Sequence, residues 1–347
     1  MFFTLQMGRG LAALAVCGFH LAVAFGDPKF ASYIPFAHVA SFGRFGVNFF
    51  FALSGFIILH AHAADMGRPE RIKNFALKRF VRIYPLYWLA TLIVLVGAAI
   101  THRALNLTAG DLTSIATLVR ITTFSHPLIP AWTLFHEVFF YAVFSILLMN
   151  RRAGVAALGL WVVLILTINV GSQSNSASLP WLALHPINLC FFGGMAAYGL
   201  YHKLSVQAAK WCIAASTVLL VATEAWIDES SSGLFFQSSL TLVFMLLLSG
   251  LVALERQGKI KNIPVFNLLG NASYTLYLLH GIILRAVLKF IYAAGIDKLF
   301  PPGILFFLAL GAICVISVAV HNMIEKPVTQ SLGRWMFSRK TPAPAYP

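Results

Sequence analysis

Charge is the scarcest property of this sequence. Only 10% of its 347 residues are Asp, Glu, Lys or Arg, where a soluble domain carries about a quarter. With 59% hydrophobic residues and a mean hydropathy of +0.82, that shortage excludes a water-soluble globule. Acidic residues are scarcer still, 11 against 25 Lys and Arg, for a net charge of +14. In a soluble chain such an excess points to nucleic acid; in a membrane chain it reflects cytoplasmic loops facing anionic headgroups. Cysteine is also rare. Cys17, Cys190, Cys212 and Cys314 stand singly inside apolar runs, with the spacing of neither a disulfide framework nor a zinc site. They read as packing residues, and no metal is expected.

Long apolar runs are what the chain has in abundance. A bilayer core needs roughly 17 to 25 apolar residues per helix, and ten stretches qualify, at roughly residues 9–26, 42–63, 83–100, 132–149, 154–170, 182–200, 211–226, 234–254, 270–293 and 303–321. The expected fold is therefore all-α, a polytopic membrane protein of about ten transmembrane helices. With the N-terminus in the cytoplasm, Arg68, Arg71, Lys73, Lys78, Arg79, Arg82, Arg151, Arg152, Lys203, Lys210, Arg256, Lys259, Lys261, Lys326, Arg334, Arg339 and Lys340 share one side. The other side keeps Lys29, Arg103, Arg120 and Lys298. This bias predicts both termini cytoplasmic. Because the basic residues are divided among several short loops, they form no stripe for nucleic acid. The first apolar run contains Arg9 and His20 and is read as a retained helix, not a signal peptide. A short interfacial or re-entrant helix is expected over Leu112–Phe124. One membrane domain, 1–330, and a short cytoplasmic tail, 331–347, with a disordered Pro-rich end, complete the organisation.

Ionisable groups inside spans are costly and mark functional candidates. Arg9 and His20 lie three helical turns apart on one stripe about 16 Å long. Arg9 is either a snorkelling anchor or a ligand-facing cation, His20 either an interior histidine or a reactive one. In the fourth span Thr133, Glu137 and Tyr141 share a face at i, i+4 spacing while His136 points away. A carboxylate about 9 Å below the boundary needs a partner, whether structural or catalytic. In the ninth span Ser273, Tyr277 and His280 align, with His280 about 15 Å deep; Ser273 and Tyr277 read equally as packing between helices. Arg79 and Arg82, three apart at the start of the third span, suit either anionic lipid or phosphate oxygens.

Six motifs in order resemble the acyltransferase 3 family of integral-membrane O-acyltransferases, which modify bacterial surface and exported polysaccharides. They are Arg9 with His20; Gly46 to Phe56; Arg79, Arg82, Ile83 and Pro85; Trp132, Thr133, Leu134, Glu137, Phe140 and Tyr141; Ser273, Tyr274, Leu276, Tyr277, Leu278 and His280; and Glu325, Lys326, Pro327. Asn48 stands where the family usually has Asp, and Thr133 where it has Ser. In length, and in lacking an appended hydrolase-like domain, the chain resembles the short exopolysaccharide-production members.

The resemblance implies a bacterial inner-membrane enzyme moving an acyl group, expected to be acetyl, from cytoplasmic acetyl-CoA as co-substrate to a hydroxyl of a glycan or lipid-linked saccharide beyond the bilayer. Arg9, Arg79 and Arg82 are then expected to hold the coenzyme phosphates. His20 is expected as general base, with Glu137 orienting its imidazole, and Tyr141, Ser273, Tyr277 and His280 as site lining. A secondary transporter with a buried His, Glu and Arg path is the rival reading, and a lipid or small metabolite the rival acceptor.

Overall fold

The computed structural model describes residues 2–31, 33–170, 179–226 and 233–337. Within them the chain forms helices α1 (Phe3–Phe25), α2 (Ala37–Ser41), α3 (Gly46–His62), α4 (Ile72–Ile100), α5 (Ala109–Thr117), α6 (Ala131–Met149), α7 (Arg151–Asn169), α8 (Leu179–Leu184), α9 (Leu189–Leu200), α10 (Val206–Trp226), α11 (Leu234–Arg256), α12 (Pro264–Asn271), α13 (Ser273–Ala293), α14 (Pro302–Val320) and α15 (Lys326–Phe337), and no strand among the described residues. Nine helical segments there are long and apolar enough to cross a membrane. All belong to the expected set, so the protein is a multi-pass, all-α membrane protein.

The expected span at 182–200 is where the structure differs: it is broken into α8 and α9 at His185 and Pro186. Proline interrupts the backbone ladder there, and freed carbonyls within a bilayer must find donors. Asn188 Nδ2 donates to the Leu182 and Ala183 carbonyls at 2.8 and 3.1 Å, Trp161 Nε1 to Ala183 at 2.6 Å and Asn169 Nδ2 to Leu184 at 2.9 Å. His136, about 100° around α6 from Glu137, supports this repair, with its Nδ1 2.9 Å from Asn188 Oδ1.

Helix α1 lies at the centre, packed on α3, α12, α13 and α14. Its first turn is anchored by the Glu255 carboxylate of α11, which accepts the Phe3 and Thr4 backbone N–H groups, both at 2.8 Å, and the Thr4 hydroxyl. Small residues bring the backbones together. A Cβ on Gly10 would stand 2.7 Å from the Gly270 nitrogen, and one on Gly55 1.9 Å from the Phe191 carbonyl oxygen. Behind α6, Phe51, Phe191 and Phe140 stack in a column, with ring centroids 4.6 and 4.2 Å apart.

One expected boundary is corrected. The short helix between α4 and α6 is Ala109–Thr117, not Leu112–Phe124, because Thr108 and Asp111 form a reciprocal N-terminal cap and Leu118 turns left-handed (φ 54°) at the other end. It is held to α4 by Tyr84, Tyr87 and Trp88, which donate to the Thr117, Ile115 and Ala116 carbonyls. At the C-terminal end α15 continues through Phe337 after a π-helical turn at His321–Glu325. Thr341–Pro347, with Arg339 and Lys340, lies outside the described residues.

Candidate functional site

The bundle encloses two adjoining chambers. The first gathers Arg9 from α1, Ser54 from α3, Arg79 and Arg82 from α4, Glu137 and Tyr141 from α6, and Ser273, Tyr274 and Tyr277 from α13. Each side chain arrives by helical spacing. Arg79 and Arg82 share a face one turn apart, as do Glu137 and Tyr141 at i, i+4. Seven of the expected site residues therefore meet here.

Glu137 is the anionic centre of this arginine chamber. Its carboxylate accepts a close hydrogen bond from Tyr141 and another from Ser54 at 3.4 Å. Arg79 lies over the rings of Tyr141 and Phe75, with Cζ 5.7 and 5.9 Å from the centroids, a placement that holds a guanidinium by cation–π attraction. Its Nε is buried and meets no protein acceptor. Arg9 is nearly buried, lies with its Nη1 3.5 Å from Gln6 Oε1, and feels the charges of Arg82, Glu325 and Glu137. Ser273 donates to the Gly270 carbonyl at 2.7 Å, so its hydroxyl is committed to the backbone.

His20 and His280 belong to the second chamber, a cavity of about 200 Å³ that also receives Phe19, Arg44, Pro130 and Trp132. Their rings stack, 5.0 Å between centroids and 25° between planes. His280 Nδ1 is 2.6 Å from the Tyr277 carbonyl. A carbonyl only accepts, so Nδ1 carries the proton and Nε2 of the neutral ring keeps its lone pair. The two chambers share Val47 and Tyr277 as a common wall. Tyr277 is fixed there by the Thr133 hydroxyl at 3.0 Å and the edge of Phe50. A cleft of about 350 Å³ between α4 and α6 meets the arginine chamber at Arg79, Ile83 and Tyr141.

The expected pairing of Glu137 with His20 is not made. Glu137 faces Tyr141 and Ser54 in one chamber and His20 faces His280 in the other, because equal depth along two helices does not bring their faces together. Asn48, in the place of the family Asp, lies in neither chamber: its Nδ2 donates to Gln237 Oε1 at 2.6 Å, a neutral pair between α3 and α11. Sequence reasoning missed Arg44, and it gave Glu325 only as part of the closing motif, without its partners. Arg44, a cation inside an apolar run, carried the signal that singled out Arg9. Glu325 binds His321 Nδ1 at 2.6 Å and the Thr275 hydroxyl within the π-helical turn, whose i, i+4 His–Glu spacing was visible. Among the described residues no group of three His, Cys, Asp or Glu converges to hold a metal ion.

An acyltransferase domain model matches residues 3–322. The chain is 29% identical over 306 residues to the exopolysaccharide production protein ExoZ of Rhizobium meliloti, covering 84% of this chain and 91% of that one. It is 26% identical over 375 residues to the acyltransferase MdmB of Streptomyces mycarofaciens, covering 97% and 94%. A shorter match, 39% over 83 residues, joins it to protein 2 of the picA locus of Rhizobium radiobacter, covering 24% and 38%. No solved structure matches. A family match over nearly all of a polytopic helical chain identifies an enzyme, and this protein belongs to the acyltransferase 3 family of membrane acyltransferases.

Proposed function

We propose that this enzyme transfers an acetyl group from acetyl-CoA to a hydroxyl of a polysaccharide, across a bacterial inner membrane, with both termini and the arginine chamber on the cytoplasmic side. The observation that carries the reading is the pair of adjoining chambers, one lined by three arginines and the other by two imidazoles. The first suits a donor with several phosphates, the second a proton transfer. Arg79, Arg82 and Arg9 bind the coenzyme phosphates by paired, charge-assisted hydrogen bonds, and the acyl thioester reaches the wall at Tyr277. His20 takes the proton of the acceptor hydroxyl as its oxygen bonds to the acyl carbon. The carbon–sulfur bond breaks, and the coenzyme thiolate takes up a proton as it leaves. Glu137 serves the donor side, holding Tyr141 beneath Arg79. The polysaccharide acceptor is supported by the name of the Rhizobium meliloti relative.

The test is ester formation by the purified protein in lipid nanodiscs, given acetyl-CoA and the host's surface glycan, together with analysis of that glycan from cells with and without the gene. New acetyl esters in the first and missing ones in the second are expected. Solute uptake into proteoliposomes without any ester would overturn the reading in favour of a transporter.

A further inference from the structure

The two chambers differ in charge. Three arginines face the single carboxylate Glu137 in the first. Among the described residues lining the second, Arg44 is the one guanidinium, and it is matched: its Nη2 lies 2.6 Å from Glu224 Oε2, while the other oxygen of that carboxylate accepts the Ser41 hydroxyl at 2.6 Å. Among the described residues the lining of the histidine chamber thus offers no cation left free to hold a phosphate or carboxylate. Its remaining surface is largely aromatic or apolar, with Trp132 the largest ring.

Trp132 is mounted rigidly. It sits in the first turn of α6, directly after the Pro130 N-cap and Ala131, and meets the His136 ring edge to face at 5.8 Å and 88°. His136 is in turn tied to Asn188. A platform fixed before binding loses little entropy when a ligand lands on it. An aromatic ring beside a balanced ion pair is complementary to a ligand with apolar C–H faces and a hydroxyl rim, and a cavity of about 200 Å³ has room for a single ring of it.

We propose that the histidine chamber is a saccharide subsite for one neutral pyranose ring, stacked on Trp132, with Arg44, itself held by Glu224, hydrogen-bonding its hydroxyls and one hydroxyl turned to His20. This rests on the acyl-transfer reading and adds the acceptor's charge and the residues that select it. The ring belongs either to a free glycan or to a lipid-linked saccharide whose diphosphate stays outside the chamber.

Saturation-transfer NMR on the full chain in nanodiscs tests the subsite without any donor. The probes are methyl β-D-glucopyranoside, methyl β-D-galactopyranoside and glucose 1-phosphate. Transfer to ring C–H protons of at least one neutral glycoside is expected, weakened at least tenfold in Trp132→Ala and Trp132→Leu and largely kept in Trp132→Phe. Glucose 1-phosphate should compete at least tenfold less well. Unchanged coenzyme A binding by the variants certifies their fold, and the leucine variant keeps the bulk while removing the ring. Competition by a polyprenyl-diphosphate glucose stronger than by the methyl glycoside assigns the lipid-linked source, weaker competition the free glycan; both support the subsite. No transfer from either neutral glycoside, transfer unaffected by Trp132→Leu, or preference for the phosphorylated sugar would overturn it. A wild type that binds glycosides but forms no ester would instead overturn the acyl-transfer reading.

Discussion

Arg79 shows how one side chain can be held in place without its charge being consumed. Two aromatic faces support the guanidinium while its buried Nε meets no protein acceptor. A phosphate oxygen of a bound donor would supply the acceptor that this Nε lacks. Replacing Arg79 and Arg82 together by Ala should weaken coenzyme A binding by about one to two orders of magnitude, since each lost charge-assisted bond contributes about 1.5–3 kcal/mol and neighbouring losses do not simply add. Calorimetric titration in nanodiscs measures this, and an unchanged Kd removes both residues from the donor site. His20 behaves differently. If the imidazole is the general base, His20→Ala should abolish transfer while leaving the coenzyme Kd within about twofold, because the ring lies in the other chamber. Full transfer in that variant ends its role as base; radiolabelled acetyl trapped on the wild type without acceptor, and lost in the variant, makes it a nucleophile instead.

Among the elements, the segment between α4 and α6 contains the clearest pH-sensitive groups outside the spans. Burial pushes the His126 imidazole down to about 4, opposed only by its contact with Leu128. An unfolded histidine takes up its proton near about pH 6.5. Between these values the unfolded segment binds more protons than the folded one, so the stability contributed by neutral His126 is complete above about pH 6.5 and is lost as pH falls towards 4. Hydrogen exchange of residues 120–130, corrected for intrinsic rate, should therefore show protection falling from pH 7 to 5. The drop should vanish in His126→Gln. Asp111 moves the opposite way in charge: hydrogen bonds from Thr122 and then Thr108 hold its carboxyl below the usual range, so the cap of α5 outlasts His126 on acidification.

The same segment shows how far periodicity reaches. Long apolar runs set most of the spanning helices, because a bilayer leaves a backbone of that length few alternatives. The short helix was displaced by several residues because its ends depend on the Thr108–Asp111 cap, a chemical signal in the sequence that apolar periodicity does not weigh. The break at Pro186 was masked by the hydrophobicity on both sides of it. At the site, residues on one helix were grouped correctly, as Glu137 with Tyr141 and Tyr277 with His280. The pairing of Glu137 with His20 failed because it depended on how two helices are rotated against each other, which only the packing of α1, α6 and α13 decides.

For the whole molecule, the division of basic residues sets the orientation to be tested. In a version lacking the four native cysteines, Arg71→Cys and Arg256→Cys should resist an impermeant thiol reagent in intact cells, and Arg103→Cys should react. Labelling of Arg71→Cys would invert the bundle and with it the side from which the donor enters.

Tyr277 has a consequence for the membrane itself. With Val47, its phenol ring forms the wall between the two chambers, and such a partition is expected to act as an electrical seal as well. A potential applied across water-filled recesses falls mostly over the thin partition between them, and a charge crossing it gains about 2.3 kcal/mol per 100 mV. Proteoliposomes carrying Tyr277→Ala should dissipate an imposed pH gradient several-fold faster than wild type, read with an entrapped pH dye. Tyr277→Phe, which keeps the ring and loses only the Thr133 hydrogen bond, should stay tight. If the reaction runs across the membrane as proposed, the cell would then depend on this wall to keep it from short-circuiting the proton gradient.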